Sequence, residues 1–268
     1  MQIRITDPAD PRIAAYRDIR ERDLVGREGR FIAEGTVVLR HLLQGRRFAA
    51  ESVLVLENRL QGIADLLHQA PPGLPVYVAD RAVMDRVAGF AIHRGVLAVG
   101  LRNPAQPVAT QLDGLPSTAT VVVCIGIANH DNVGSIFRNA AAFGADAVLL
   151  DSTSCDPLYR KAIRVSVGAA LTVPFAMFDD ADGLVGELAA RGFLQLALSP
   201  RGERDLREIH RAPRTAIYLG SEGEGLPAHL IDKLVATRIS LAAGFDSLNV
   251  AAASAIALHH LTANSGCG

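Results

Sequence analysis

Apolar and polar residues follow two regular patterns along this chain, one typical of buried strands and one typical of helices. From Phe31 onward, short apolar runs predict strands, and stretches with a helical period separate them. The strands read FIAEG, SVLVL, VYVAD and GVLAVGL, and the helices read TVVLRHLLQ, RLQGIADLLHQ and RAVMDRVAGFA. This alternation predicts a small α/β domain over residues 1–102.

After Thr120 the apolar runs become nearly continuous, which is typical of strands covered on both faces. These runs read TVVVCIGI, DAVLL, LTVPFAM, FLQLAL and AIYLG, with helical stretches between most of them. Residues 120–268 are therefore expected to form a second α/β domain around a parallel sheet. The intervening residues 103–119 are rich in Pro, Thr and Ala and lack either period, so they predict an interdomain linker.

The segment 7–30 is rich in arginine and mixed in charge, with Ile13, Tyr16, Ile19 and Leu24 on a helical stripe. Two interpretations remain open for it. One is a solvated amphipathic helix, and the other is a surface that faces RNA.

Composition narrows the class of protein without naming a function. The 268 residues carry a formal net charge of −1 and only three cysteines, and the longest apolar runs are too short to cross a bilayer. We expect no export signal, no disulfide framework and a cytoplasmic location. Of the 27 basic residues, 25 are arginine, which either reflects a GC-rich genome or favours bidentate phosphate binding.

Three predicted strands or strand-like runs end in crowded polar segments, at residues 128–138, 220–226 and 242–249. Ligands of parallel sheets bind at such carboxyl ends. In the first segment Asn129, Asp131 and Asn132 precede a helix, and capping accounts for one of them but not for three. Arg138 follows near the positive end of that helix, where a cation is mildly unfavourable. A bound anionic or polar partner is one explanation for Arg138, and a salt bridge to Glu222 is the other.

The second segment, within AIYLGSEGEGL, is a strand that runs into a turn with Gly220, Gly223 and Gly225. The glycines permit close approach of a ligand to the backbone, although an ordinary tight turn is an equal alternative. A dinucleotide-binding fingerprint is excluded, because the spacings are reversed and the turn lies late in the chain. The third segment carries Ser247 and Asn249 before an alanine-rich helix.

Histidines do not indicate a metal site. His259 and His260 have no acidic or cysteine partner at ligand spacing, and His130 is better explained as a surface loop residue than as a base. We therefore predict that the protein uses no metal.

Three ordered motifs resemble those of the SpoU family, RNA 2′-O-ribose methyltransferases of the SPOUT superfamily that depend on S-adenosylmethionine. They are NVGSIFRNAAAFGA, YLGSEGEGL and ISLAAGFDSLNVAAASAIAL, and YRKAIRVSVGA is similar to a further family segment. FIAEG and the following α/β run resemble the small RNA-substrate-binding domain of the family. Ser240 stands where a proline is usual, and Ala251 where a serine is common.

The resemblance implies a fold, a cofactor and roles for particular residues. The C-terminal domain would be a parallel-sheet SPOUT domain with a deep trefoil knot, generally dimeric. Backbone groups around the cofactor would come from a set of residues at the second and third motifs: Leu219, Gly220, Gly225, Ile239, Leu241 and Leu248. The catalytic group would comprise Asn132, Arg138, Glu222, Ser247 and Asn249.

The reaction implied is methyl transfer to a ribose 2′-hydroxyl of rRNA or tRNA, with the substrate RNA also held by a patch around Arg160, Lys161 and Arg164. Arg138 would clamp the phosphate and stabilise the developing alkoxide, since a guanidinium is too basic for a general base. Glu222 would fix Arg138 or balance nearby positive charge. An RNA-binding protein of the same fold without catalysis is the alternative. A nucleotide-binding enzyme is a weaker one, because the chain lacks a G-x-x-x-x-G-K-[ST] run.

Overall fold

A computed structural model describes residues 2–17, 21–88 and 95–262 of the chain. The strands are β1 Gln2–Ile5, β2 Arg30–Glu34, β3 Ala49–Leu56, β4 Val76–Ala79, β5 Val96–Leu101, β6 Ala119–Cys124, β7 Ala147–Asp151, β8 Phe175–Phe178, β9 Leu194–Leu198, β10 Arg204–Asp205, β11 Arg214–Leu219 and β12 Val235–Arg238. The α-helices are α1 Glu21–Gly26, α2 Thr36–Gln44, α3 Ala64–His68, α4 Arg81–Ala88, α5 Val108–Asp113, α6 His130–Phe143, α7 Arg160–Val165, α8 Ala169–Thr172, α9 Ala181–Ala190, α10 Ala228–Ile231 and α11 Val250–Leu261. Short 3-10 turns lie at Pro11–Tyr16, Glu57–Arg59, Gln61–Ile63 and Leu206–Glu208.

The chain divides into two compact units. The N-terminal unit comprises Met1–Pro104 together with Pro157–Thr172, and the C-terminal unit comprises Ala105–Asp156 and Val173–Gly268. The boundary near residue 104 lies close to the predicted one at 102. The assignment of 157–172 to the first unit differs from the sequence prediction, which placed this stretch in the second domain.

The N-terminal unit is built on a five-stranded mixed sheet of order β1-β4-β3-β5-β2. β1, β4 and β3 run parallel, whereas β5 is antiparallel to both β3 and β2. The small α/β domain predicted from the pattern is therefore present, with β1 added to it. The predicted helix over RLQGIADLLHQ is broken into a 3-10 turn and the short α3, although Ile63 and Leu66 are buried as its apolar face requires.

The inserted segment 157–172 packs against this sheet as α7 and α8. α7 lies against β2, and α8 lies against α2. Between them, Val167 adopts a positive φ of 55°, and the N–H of Gly168 donates to the Ile163 carbonyl at 2.9 Å to close the end of α7. The sequence pattern alone could not assign this segment to a unit. The helical period shows which face of a helix is buried but not which part of the chain covers that face.

The C-terminal unit contains a seven-stranded sheet of order β10-β12-β9-β11-β6-β7-β8, in which every strand pair is parallel. The predicted parallel sheet is confirmed. β10, at the edge of the sheet, and β12 beside it are additional strands that the apolar pattern did not indicate, since they are short and only partly buried. β6 and β11 lie at the centre, and their residues from Val121 to Val123 and from Ala216 to Tyr218 are fully buried.

Part of the predicted linker is structured. Residues Val108–Asp113 form α5, which packs against β8, and Leu112 is fully buried in the core of the C-terminal unit. Val108 and Leu112 are four residues apart and so share one helical face, a signal too short to stand out in a Pro- and Thr-rich stretch.

Two other predictions concern the whole chain. Cys124 and Cys155 are buried and do not form a disulfide with each other, and Cys267 lies outside the described residues. Among the described residues, no helix combines the length and the apolar character needed to cross a bilayer. The trefoil knot stays a prediction.

Candidate active site

α6 begins where β6 leaves the sheet, and its start fixes the first group of polar residues. Asn129 is the N-cap, and its side chain accepts a hydrogen bond from the Asp131 N–H at 2.8 Å. Asn132, one turn in, is buried at 8% exposure, so it has a role other than capping. Gly144, in the left-handed conformation, ends the helix.

The loop between β6 and α6 is braced by the loop after β7. The Asp151 carboxylate accepts hydrogen bonds from the Gly126 N–H at 3.0 Å and from the N–H and hydroxyl of Ser154 at 3.0 and 2.5 Å. Ser154 in turn accepts the Ile127 N–H at 2.9 Å. Buried backbone donors are thereby satisfied at the carboxyl edge of the sheet, and the start of α6 is held in place.

The glycine-rich turn after β11 folds back on itself. The Gly225 N–H donates to the Ser221 carbonyl at 3.0 Å, and Gly225 has a φ of +74°. A Cβ on Gly220 would lie 2.2 Å from both the Gly225 carbonyl carbon and the Leu226 nitrogen. Gly220 is thus required by the turn's own backbone, as the tight-turn alternative holds, and its role toward a ligand stays a prediction.

A hydrogen-bonded chain joins the three polar segments. Asn249 Nδ2 donates to Asn132 Oδ1 at 3.0 Å, and Asn132 Nδ2 donates to Glu222 Oε1. Asn249 Oδ1 accepts the N–H groups of Ala251 and Ala252, at 2.9 and 3.3 Å, and so caps α11. The orientation of each amide is fixed, because each oxygen and nitrogen has a partner of the opposite kind.

Arg138 lies on the exposed side of α6, more than two turns from the start of the helix. It is therefore not at the positive end, as the sequence interpretation assumed. Within the described residues Arg138 makes neither a hydrogen bond nor an ion pair, and Glu222 is bonded to Asn132 instead. The salt bridge from Arg138 to Glu222 is absent from the described structure, so the guanidinium is available to an external partner.

The segment 239–249 connects β12 to α11 and is largely exposed. Ile239 and Leu241 are partly buried, Leu248 is 40% exposed, and Ser247 is exposed without a hydrogen bond to the described residues. By contrast, Leu219 is buried, and its carbonyl accepts the Ile125 N–H at 2.9 Å. Because β11 and β12 both run parallel to β9, their carboxyl ends lie on the same side of the sheet. This segment and the glycine turn therefore begin at the same end of the strands.

Two positions that the sequence analysis did not single out hold the site together. Asn139 Nδ2 donates to the Ala251 carbonyl at 2.8 Å and to Ser254 Oγ at 2.9 Å, which locks α6 against α11. The other is Asp151. Asn139 lies on α6 and Asp151 ends β7. Other Asn and Asp residues nearby only cap helices or face solvent, and residue type alone did not distinguish these two from them.

Titratable and metal-binding groups add little to the site. Burial raises the pKa of the Cys124 thiol above its ordinary value, so it is not a nucleophile at neutral pH. His260 Nε2 lies 3.0 Å from the Ile209 carbonyl, and the His259 ring packs edge-to-face on Phe143. In the described part of the chain, no group of three His, Cys, Asp or Glu residues is arranged to hold a metal ion.

Comparison with known proteins identifies the class of this site. The sequence profile of the SpoU rRNA Methylase family matches residues 119–259. An uncharacterized tRNA/rRNA methyltransferase of Mycobacterium bovis is 40% identical, over 96% of this chain and 91% of its own length. The 23S rRNA (guanosine-2′-O-)-methyltransferase RlmB of Ralstonia nicotianae is 30% identical, over 69% of this chain and 76% of its own length.

Solved structures agree on the fold. An AdoMet-bound rRNA methyltransferase from Sinorhizobium meliloti superposes with a TM-score of 0.79 at 24% identity, covering 97% of both chains. An RNA 2′-O ribose methyltransferase superposes with a TM-score of 0.76 at 25% identity, covering 96% of this chain and 97% of the other. The resemblance stated from the three motifs is confirmed, and the chain belongs to the SpoU rRNA methylase family of RNA methyltransferases, within the SPOUT superfamily.

Proposed function

We propose that this protein transfers a methyl group from S-adenosylmethionine to a ribose 2′-hydroxyl of structured RNA, either rRNA or tRNA. The observation that carries the proposal is the bonded chain Glu222–Asn132–Asn249, whose middle residue lies on the same helix as Arg138. The Arg138 side chain is exposed and unpaired within the described residues. The 2′-O-methyltransferase activities of the Ralstonia nicotianae relative and of the second solved structure support the choice of ribose over base.

The segment 239–249 fits a cofactor held mainly by backbone groups. From residue 240 to 248, the described backbone makes a single backbone hydrogen bond, from the Phe245 N–H to the Ala242 carbonyl at 3.3 Å. The remaining donors and acceptors are available to the polar edge of an adenine and to the amino and carboxyl groups of a methionine. Ile239, Leu241 and Leu248 provide apolar surface beside them, and Gly220 and Gly225 shape the facing turn. Leu219 would contribute through its backbone.

S-adenosylmethionine, when bound, supplies a methyl group on a sulfonium centre for in-line transfer. The residues of this chain then have to position the hydroxyl and manage one proton. Arg138 offers a planar fork of donors to the adjoining phosphate and to the alkoxide that develops. It does not serve as a base, because a guanidinium keeps its proton at neutral pH.

The amide chain has a positioning role in this scheme. Asn132 is fixed on both sides by Glu222 and Asn249, so its place on α6 relative to α11 is set before substrate binds. Ser247, two residues before Asn249, is exposed and would contact the ribose hydroxyl or the cofactor. The Glu222 carboxylate would favour a cation bound nearby, either the Arg138 guanidinium or the sulfonium centre of the cofactor.

Charge is distributed unequally between the two units, and this supports an RNA-binding role for the N-terminal one. By sequence, its residues include 18 Lys and Arg and 12 Asp and Glu, whereas the C-terminal unit has 9 and 16. Three of the basic residues, Arg160, Lys161 and Arg164, lie in the inserted segment 157–172, which contains no Asp or Glu. Phosphate backbones bind such positively charged surfaces.

A homodimer is also proposed. In the C-terminal unit the large apolar side chains of Phe245, Leu248 and Ile256 are 75%, 40% and 41% exposed. Apolar surface of this kind is typical of association sites. Sedimentation velocity should give twice the chain mass, and a monomer at micromolar concentration would contradict the dimer.

Nucleoside analysis tests the reaction. The purified protein is incubated with radiolabelled S-adenosylmethionine and either total rRNA or total tRNA, and the RNA is then digested. A 2′-O-methyl group blocks alkaline cleavage of the next phosphodiester, so the label should appear in an alkali-resistant dinucleotide. Label in a mononucleotide after alkaline digestion would indicate base methylation and would contradict ribose methylation. Binding of RNA and cofactor without transfer would favour the alternative of an inactive RNA-binding protein.

A further inference from the structure

The segment 239–249 is attached to the rest of the C-terminal unit at both ends. At its C-terminal end Asn249 bonds to Asn132, and at its N-terminal end the Ser240 hydroxyl donates to Asp205 Oδ2. Between these two attachments, the described residues form only the weak Phe245–Ala242 backbone bond. The conformation of the segment is therefore set largely by its two ends.

Asp205 is well placed to hold the first end. It pairs with Arg238 across β10 and β12, so its carboxylate lies beside the point where β12 ends and the segment begins. The Arg238 guanidinium donates to the carbonyls of Gly202 and Glu203, at 2.9 and 2.5 Å. A Cβ on Gly202 would lie 2.4 Å from the Thr237 carbonyl carbon, so β10 is packed tightly onto β12.

The carboxylate itself is a preorganised acceptor. Asp205 is 4% exposed, and it accepts the Arg207 N–H at 3.0 Å and the Arg207 guanidinium at 2.9 and 2.8 Å. The Arg207 and Ser240 hydrogen bonds hold the pKa of Asp205 well below its ordinary value, so it stays ionised. A hydroxyl that donates to a fixed, ionised carboxylate forms one of the stronger hydrogen bonds in proteins.

We propose that Asp205 is a positioning residue that, through the Ser240 hydroxyl, holds the segment 239–249 in its cofactor-binding conformation. It does so without contacting the cofactor. The proposal rests on the proposed function in one respect, namely that this segment binds S-adenosylmethionine. Neither residue type nor spacing in the sequence links position 205 with position 240.

A double-mutant cycle measures the coupling. Calorimetric titration with S-adenosylmethionine is carried out on the wild type, Ser240→Ala, Asp205→Ala and the double variant. Each single change should weaken binding about tenfold, and the double variant should bind no more weakly than Asp205→Ala. Ser240→Thr, which keeps the hydroxyl, should retain wild-type affinity. Arg207→Ala removes the guanidinium that fixes the Asp205 carboxylate but keeps the bond to Ser240, so it should weaken binding less than Asp205→Ala does.

Amide hydrogen exchange of the cofactor-free proteins provides a readout independent of the ligand. Exchange in residues 241–248 should accelerate in Ser240→Ala and Asp205→Ala and remain unchanged in Ser240→Thr. Equal affinity and equal exchange in Ser240→Ala and wild type would overturn the proposal, as would fully additive effects. If Asp205→Ala does not fold, the comparison of Ser240→Ala with Ser240→Thr tests the proposal by itself. If the wild type does not bind S-adenosylmethionine, the proposed function fails, and the exchange data still test the attachment.

Discussion

Asn249 Nδ2 donates a 3.0 Å hydrogen bond to Asn132 Oδ1, and so joins two residues 117 positions apart in the chain. The same Asn249 side chain caps α11 through its oxygen. Capping and positioning are therefore carried by different atoms of one amide, which allows the two roles to be separated experimentally.

Asn249→Asp is expected to separate them. Aspartate is as good an N-cap as asparagine, so the midpoint of thermal unfolding should hardly change. The new carboxylate has no proton to donate to Asn132, so methyl transfer should fall at least tenfold, by analogy with the cost of leaving the buried Asn132 oxygen without its donor. Single-turnover methylation beside thermal melting is the measurement. Asn249→Ala is the control and should lower both quantities, and equal losses of stability in the two variants would refute the separation.

Arg138→Lys keeps the positive charge but loses the planar fork of donors. Methyl transfer should decrease on the order of a hundredfold, which is the cost of losing one preorganised donor. Thermal stability and S-adenosylmethionine affinity should be unchanged, because Arg138 has no partner among the described residues. Arg191→Lys, at an arginine that pairs with Asp113 and Glu187, is the matched control and should leave transfer intact. A rate for Arg138→Lys within a few-fold of wild type would remove Arg138 from the mechanism.

Gly220→Ala and Gly223→Ala form a matched pair within one turn. A Cβ at 220 overlaps the backbone of Gly225 and Leu226, whereas one at 223 meets no atom within 4 Å. The first change should displace the turn and lower both stability and cofactor affinity, and the second should lower neither by more than about 1 kcal/mol. Denaturant unfolding and calorimetry are the measurements. Equal behaviour of the two variants would show that the turn relaxes freely.

Charge reversal on α7 tests the RNA-binding role of the N-terminal unit. Lys161→Glu with Arg164→Glu should weaken RNA binding and reduce the slope of log affinity against log salt by about one per lost phosphate contact. Cofactor affinity should stay at the wild-type value. Asp65→Lys, which changes charge on α3 of the same unit, serves as the control. An unchanged salt slope in the double variant would exclude α7 from the RNA-binding surface.

Truncation tests the division into units. A fragment that starts at Thr120 lacks α5 and hence the buried Leu112, so it should be less stable than one that starts at Ala105 by about 2 kcal/mol or more. Both fragments leave the buried faces of α7 and α8 without the sheet of the N-terminal unit, so both should be less soluble than the full chain. Equal stability of the two fragments would show that α5 adds nothing to the core.

Much of the fold was predictable because it depends on local pattern. Near-continuous apolar runs such as Val121–Val123 predicted central parallel strands, since strands covered on both faces have no polar side. The helix α2 has the same bounds in sequence pattern and structure. The short strands β1, β10 and β12, and the helix α5 inside the predicted linker, were missed because two to six residues carry too little periodicity to register.

For the site, residue types and motif order identified the family and led to the prediction of the catalytic set Asn132, Arg138, Glu222, Ser247 and Asn249. What the sequence could not determine is which of these side chains bond to one another. It left two partners open for Arg138, an external one and Glu222, whereas the structure pairs Glu222 with Asn132 and leaves Arg138 exposed. It left a ligand and a tight turn as equal explanations of Gly220, and the structure adds that the turn's own backbone requires a glycine there.

The sequence by itself thus determined the elements, the sheet type and the chemical classes present at its edge, because these follow from local periodicity and side-chain chemistry. Only the tertiary structure decided that residues 157–172 belong with the N-terminal unit, that Asn139 locks α6 to α11, and that Asp205 meets Ser240. Each of these depends on the packing of segments far apart in the chain. A pattern within one segment specifies the face that must be buried, and only the folded chain specifies the partner that buries it.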